Sequence, residues 1–546
     1  MMTRNAILRE TTAEYLRHVS LTTPLEDVEE ELVAFIKNKI YNHNHIYHTA
    51  YKAPDRLDNA VMADVIVHMF NVVNIDCNPD GDSETMLAIY DNDKSSRDYG
   101  LYVPADDLIA DAVRKLNYLA KQSDIKEVII SIKLKAPIAH LTMDKHLVPV
   151  ANGVFDYSTK KLYPFDPDKY VFLGKMSVPF DATAVNPEFE FDTEDGKLIF
   201  NFDKWLMEIA DDRKELYDLL WEVISSVCRP FAHFDKLIFF VSNTGANGKG
   251  SLLRAIRSLC GERRTSSISL RELSEDKYIG PAIFNKLVIL SDENRVSKNK
   301  KLEGLERAKL LATGDIIRIE YKYRDSFDFR FSGRCIFCLN DNLKLEDTTG
   351  SAYRRILSIP FLRSFVGKEN KYLKSTVLVD ERVLRYILNH ALMCVDCDED
   401  YHIPDICLRE LDDIKTLNDP IRELWKEIEP VLVWDIVPFS WLFEVYKGFL
   451  RKNYPSEKPL NRSVFIDDLL DILDEEEDSL FYCEDKGKRY RTGDMMSKSE
   501  ILTYMYDVRD FMDLTQDNIY LMCIPVGKTQ VRGILRKTVK GDTCDE

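Results

Sequence analysis

The chain has 546 residues, 45% of them apolar and 11% aromatic, with 21 glycines and 20 prolines. Several large cores can be buried, and disordered, collagen-like and low-complexity readings are excluded. Acidic residues number 92 against 74 Lys and Arg, a net charge of −18, which excludes a coat spread over duplex DNA but leaves room for a local basic groove or channel.

No apolar stretch reaches the roughly 18 residues of a membrane span. The N-terminus, Met1-Met-Thr-Arg-Asn-Ala-Ile-Leu-Arg-Glu10, carries charge where a signal peptide needs its apolar segment. The 11 cysteines are scattered and read as reduced thiols in a cytoplasm-like compartment. Two Cys-x-x-Cys pairs, Cys335/Cys338 and Cys394/Cys397, have zinc-like spacing, but the first lies in an apolar run that reads as a buried strand. His43, His45 and His48 lie in a polar Asn/Tyr-rich stretch and read as a solvated loop or helix face.

Length and pattern predict four regions: 1–115, 116–230, 231–409 and 410–546. The first opens with helical patterns and continues into two short strands, Met86–Tyr90 and Tyr99–Val103, an α+β unit. The second mixes Val128-Ile-Ile-Ser-Ile132 with turn-rich text and closes in one helical segment over 203–228, with Trp205, Leu206, Ile209, Leu216, Leu219, Leu220, Val223 and Ile224 at 3–4 spacing. The third alternates apolar strands with helical segments, the mark of an α/β parallel sheet. The fourth is helical and acidic, notably at 467–478, with basic interruptions at 486–491 and 532–540.

The most informative segment lies in the third region. An apolar strand, Lys236-Leu-Ile-Phe-Phe-Val241, runs into the loop Ser242-Asn-Thr-Gly-Ala-Asn-Gly-Lys-Gly-Ser251 and then into a helix that stops at Gly261. Phosphate binding requires that order: small residues let the backbone curl so that several N–H groups face one anion, and the helix N-terminus adds its partial positive charge. Asn243, Thr244, Gly245, Ala246, Asn247, Gly248, Lys249, Gly250 and Ser251 are the predicted phosphate-binding residues, with Lys249 reaching the β- and γ-phosphates. Two positions depart from Gly-x-x-x-x-Gly-Lys-[Ser/Thr]: Asn243 stands at the first glycine, and Gly250 follows Lys249, so the hydroxyl that would ligate Mg²⁺ is displaced to Ser251 or missing.

Three further signals follow in order. A second apolar strand ends in Asp292 and Glu293, where one carboxylate can help hold Mg²⁺ and its neighbour can activate water. A third, Arg334–Leu339, ends in Asn340, an amide able to sense the γ-phosphate or position the water. Arg354 and Arg355 stand before a fourth apolar strand; an arginine supplied to a neighbour's nucleotide would neutralise developing phosphate charge.

With these residues the sequence resembles the superfamily 3 helicases, specifically the poxvirus-type primase-helicase family shared by phages, plasmids and large DNA viruses. The likeness runs through Val150-Ala-Asn-Gly-Val-Phe-Asp-Tyr157, Tyr163-Pro-Phe-Asp-Pro167, Gly245-Ala-Asn-Gly-Lys249, Ser291-Asp-Glu293, Lys309-Leu-Leu-Ala-Thr-Gly-Asp-Ile-Ile-Arg318, Cys338-Leu-Asn-Asp341 and Arg354-Arg-Ile-Leu-Ser-Ile-Pro-Phe361. It implies an AAA+-like P-loop ATPase core that binds ATP and Mg²⁺ between subunits of a ring, usually a hexamer, and translocates on single-stranded or forked DNA. It also implies a helical, winged-helix-like C-terminal domain and a pre-helicase domain ahead of the core. In such helicases a β-hairpin before the sensor strand grips DNA. Here Ile316–Tyr321 and Phe327–Phe331 flank a basic, aromatic tip, so that Lys322 and Arg324 are expected as DNA contacts, with Lys309 and Arg318 in support. No primase half is evident, so a separate primase or other replication protein is an expected partner, and the expected setting is the cytoplasm or replication site of a host cell. The rival readings are an origin-binding initiator ATPase without processive unwinding, and a P-loop kinase or small-molecule phosphotransferase.

Overall fold

The structure, a computed structural model, describes residues 2–76, 85–193, 196–242, 244–276, 279–292, 305–321, 324–340, 345, 350–367, 371–397, 399–476, 478–525 and 530–537. It divides into two compact units, 1–343 with 349–410, and 344–348 with 411–546.

The first unit opens with helices Arg4–Leu16, Leu25–Tyr47, Asn59–Phe70, Asp106–Leu116 and Gln122–Lys135, which share one apolar core. Beside them lies a sheet in which Val73–Asp76 pairs antiparallel with Met86–Tyr90 and parallel with Ile138–His140, while Met86–Tyr90 also pairs with Tyr102–Pro104. The β-branched run Val128–Ile132 sits inside a helix: Val128 and Ile132 bury one face against Asn59–Phe70, and that packing overrides strand propensity. His43 is buried and stacks on Tyr51, an internal contact rather than a solvated one.

The expected helix over 203–228 is two helices, Phe202–Ile209 and Lys214–Cys228. Asp211 and Asp212 between them both adopt left-handed backbone, with φ of 56°, a conformation that short polar side chains tolerate and that ends a helix. Both helices bury their apolar stripes in the core that also takes in the central sheet.

Among the described residues that sheet has five strands: β1 (Leu237–Val241), β2 (Thr265–Ser266), β3 (Val288–Ser291), β6 (Arg334–Leu339) and β7 (Ile356–Pro360), in the order β2-β3-β6-β1-β7 and parallel throughout. Every residue of β1, β6 and β7 is buried, as a parallel sheet covered on both faces demands. Helices Lys214–Cys228, Lys249–Cys260 and Glu381–Met393 contribute to one covering core, and Leu305–Thr313 packs on β6 and β1. Between β3 and β6 the chain throws out an antiparallel hairpin of β4 (Ile316–Tyr321) and β5 (Arg324–Arg330), its register shifting between Ile319 and Tyr321. Cys335 and Cys338 are buried within β6, and the buried Cys397 lends its carbonyl to Arg229; among the described residues no group of three or more His, Cys, Asp and Glu is arranged to hold a metal ion.

The second unit packs helices Pro420–Ile428, Phe439–Asn453 and Arg462–Glu475 with an antiparallel sheet in which Gly533–Arg536 lies between Ile436–Pro438 and Phe481–Tyr482. Trp425, Trp434, Trp441, Phe449 and Phe465 fill its core. In its basic stretch 486–491, Lys486 pairs with Asp467 and Lys488 with Glu484, while Arg489 and Arg491 are exposed. Among the described residues no helix is long and apolar enough to cross a membrane.

Candidate phosphate-binding site

Parallel strands put all their carboxyl ends on one edge, where open α/β sheets bind ligands. On that edge β1 ends at Val241 and gives way to the loop, and the loop helix Lys249–Cys260 begins. Helix Lys249–Cys260 stops at Gly261, whose φ of 86° and N–H bond to the Arg257 carbonyl form its C-terminal cap.

The loop is held open by its own polar side chains. The buried Asn247 amide donates to the Ser242 hydroxyl and, at 2.6 Å, to the Thr244 carbonyl, while the Thr244 N–H donates to Ser242 Oγ at 3.2 Å. Ala246 and Gly248 take left-handed backbone, φ 54° and 87°. The chain beyond β7 straps the loop: the Phe365 N–H donates to the Ala246 carbonyl at 2.7 Å, and Arg363 pairs with Asp212 at 2.6 Å. The Asn247 side chain thus braces the curl, which leaves its backbone N–H as the group it can offer to an anion.

A Cβ on Gly248 would lie 2.6 Å from Ile209 Cγ2, on top of the strain of its positive φ. Gly248→Ala is therefore expected to cost about 1–3 kcal/mol, lowering the melting temperature and the affinity for nucleotide together. Gly245 has nothing within 4 Å among the described residues, and Gly245→Ala should leave the melt unchanged.

Lys249 is 5% exposed. Its ammonium donates to the Leu339 carbonyl at 3.1 Å and to Asn340 Oδ1 at 3.0 Å, so the end of β6 holds the loop lysine where an anion can take it over. Burial lowers the Lys249 pKa from its ordinary value, with the Cys338 thiol acting in the opposite sense. Asp292, exposed at the end of β3, stands across Gly250: a Cβ there would lie 3.7 and 3.9 Å from its two carboxylate oxygens. Beneath these groups the Cys338 thiol is pushed up to about 12 by burial and then by Asp292, while Lys249 and Lys374 pull it back. Lys249, Asp292 and Asn340, predicted from three separate strand ends, are thus brought together.

The residues present suit a hydrated magnesium ion bound with a phosphate: one described carboxylate, Asp292, and a hydroxyl on Ser251 in the first turn of the helix. Asn243, Glu293 and Lys322 lie outside the described residues, as does the side chain of Arg324.

Arg354 and Arg355 are not brought to this site. They precede β7 at the amino ends of the strands, where the Arg355 carbonyl accepts from the Leu237 N–H and the Arg354 carbonyl from Lys236 Nζ. The five residues of β1 separate them from their own chain's loop by about 17 Å at ~3.3 Å per residue. Arg354 is exposed, whereas Arg355 is half-buried and bonded to Ser351 Oγ at 2.7 Å. On the hairpin, Arg318 is exposed and stands opposite Asp328 in the register; Lys309 lies on the helix Leu305–Thr313 ahead of it.

A family model described as D5 N terminal like matches residues 24–210, and one for a family of unknown function, DUF5906, matches residues 240–355. The chain is similar to "Putative helicase L207/L206" of Acanthamoeba polyphaga mimivirus, at 22% identity over 242 residues, 42% of this chain and 23% of that protein; it thus spans about a quarter of that relative's length. Among solved structures it is similar to the apo structure of the NrS-1 C-terminal region, with a TM-score of 0.43 and 14% identity over 74% of this chain and 91% of that one. The A form of the same region gives a TM-score of 0.41 at 14% identity, over 76% and 86%.

Proposed function

We propose that this chain is an ATP-dependent replicative DNA helicase of the superfamily 3 type, with an AAA+-like P-loop core that works as a ring, usually a hexamer, on single-stranded or forked DNA. One observation carries the reading: Lys249 on the Asn340 amide at 3.0 Å, with Asp292 across Gly250. A loop lysine, a strand-end carboxylate and a strand-end amide on one sheet edge are the parts that phosphoryl transfer from a nucleoside triphosphate requires. The similarity to a viral protein named as a helicase, and the D5 N terminal like match ahead of the core, favour a DNA motor over a phosphotransferase.

In this reading Lys249 and the loop amides hold ATP, Asp292 and Ser251 help hold Mg²⁺, Glu293 activates water and Asn340 positions it. The metal supplies charge neutralisation at the β- and γ-oxygens when bound. Arg354 or Arg355 serves a neighbouring subunit; Arg354 is preferred because it is exposed and Arg355 is tied to Ser351. Lys322 and Arg324 grip the strand at the hairpin tip, with Lys309 and Arg318 in support. The second unit, whose helix, strand, two helices and strand are followed by several short elements before the returning strand Gly533–Arg536, is read as winged-helix-like. Its helix Arg462–Glu475 carries Asp467, Asp468, Asp471 and Asp474, which disfavours phosphate contact by that helix and supports the hairpin reading.

Strand displacement on a forked substrate tests the function. The protein should unwind the fork only with hydrolysable nucleotide, and single-stranded DNA should stimulate its hydrolysis. ATP turnover indifferent to DNA, with no strand released, would favour an initiator or a phosphotransferase.

A further inference from the structure

Gly250 is one of the two residues by which this loop departs from the phosphate-loop pattern, and its surroundings in the structure suggest a reason for it. The space beside position 250 is shared with a side chain from elsewhere in the chain: a Cβ there would lie 3.2 Å from Lys374 Nζ, closer than such atoms ordinarily pack, so a side chain at 250 and the ammonium would crowd each other. Lys374 is carried by the short helix Lys371–Ser375, which follows β7 and packs on the loop helix. Tyr372 of the same helix sets its ring edge-on to Phe191, with centroids 5.5 Å apart, which steadies the backbone that presents the lysine. Lys374 is exposed, so its ammonium reaches toward the site from the solvent side while Lys249 reaches it from the buried side. The Cys338 thiol beneath feels Lys249, Lys374 and Asp292 together, so the two cations and the carboxylate face one small volume.

Resting on the nucleotide-site reading above, we propose that Lys374 is a second phosphate-contacting cation supplied by the same chain, and that Gly250 is small in order to admit it. In the usual pattern the hydroxyl after the loop lysine ligates the metal that bridges the β- and γ-phosphates. Here an ammonium occupies that position and meets the same oxygens directly. Charge on the triphosphate is shared between Lys249 and Lys374, and Asp292 is left as the strand-end carboxylate toward the metal. A cation so placed has β- and γ-oxygens to meet in ATP and only β-oxygens in ADP, so it favours ATP over ADP.

Equilibrium titration of the full chain with fluorescent ATP and ADP analogues in the presence of magnesium tests this. Lys374→Ala should weaken ATP by about tenfold or more and ADP by less than about threefold, with an unchanged melting temperature because the side chain is exposed. Lys374→Arg should recover most of the loss. Gly250→Ser, which crowds the ammonium, should weaken ATP alone, and adding it to Lys374→Ala should cost little more, since both changes act on one contact. Wild-type ATP affinity in Lys374→Ala, an equal loss for ATP and ADP, or a gain of ATP affinity in Gly250→Ser would each overturn the assignment. Lys249→Ala separates the two levels. If wild type binds nucleotide and Lys249→Ala does not, a null result at Lys374 counts against this inference alone; if wild type binds neither analogue, the nucleotide site itself is misread.

Discussion

Lys249→Ala should abolish ATP turnover while leaving the fold intact. On the proposed mechanism the ammonium is the charge that the loop presents to the β- and γ-phosphates, and loss of one preorganised charged contact in such a site lowers turnover by roughly 10²–10³-fold; with the binding contribution also removed, kcat/KM should fall further. The expected stability effect is small. The Lys249 ammonium is buried and its pKa lowered by that burial, so truncation relieves a desolvated charge while giving up two hydrogen bonds, to Leu339 and Asn340. A phosphate-release assay beside a thermal melt reads both quantities. Near-normal turnover in the variant would remove the loop from the chemistry altogether.

Arg354→Ala should be nearly as damaging to turnover, by about 10³-fold, with nucleotide affinity little changed. Its defect should be repairable by the other dead variant. The two arginines sit at the far edge of the sheet from their own loop, so the proposed centre combines the loop of one chain with the arginine of the next. A mixture of Arg354→Ala and Lys249→Ala chains contains interfaces in which the first donates an intact loop and the second an intact arginine, and the mixture should regain hydrolysis that neither variant shows alone. No recovery on mixing would mean that Arg354 acts within its own chain or only supports the fold. Arg355→Ala should behave differently: its guanidinium is bonded to Ser351, and its removal should register mainly as a lowered melting temperature.

The loop was legible in the sequence because each of its parts carries a local signal. An all-apolar strand, a run of small residues and an amphipathic helix closed by Gly261 each announce themselves within a few residues, and their order does the rest. The strand ends at Asp292 and Asn340 were legible for the same reason, although nothing local says that β6 lies between β3 and β1; that adjacency is a tertiary fact, and it brings Asn340 to Lys249. Lys374 carries no such signal. Lys-Tyr-Leu-Lys-Ser reads as an ordinary surface turn of helix, and the only local clue to its place was a missing hydroxyl 124 positions earlier, at Gly250. The run Val128–Ile132 and the break at Asp211 and Asp212 show the other limit: a helix can recruit β-branched residues when a partner helix covers one face, and two aspartates can end a helix without glycine or proline.

The position of Arg354, a full strand away from the loop it shares a chain with, also bears on timing. On the proposed mechanism a newly made, isolated copy holds half of two different catalytic centres and a whole one of neither. It could load fuel but not burn it. Consumption would begin only as copies gather, so specific activity should climb with protein concentration until assembly is complete, and a cell holding only scattered copies would be spared an idle drain on its nucleotide pool.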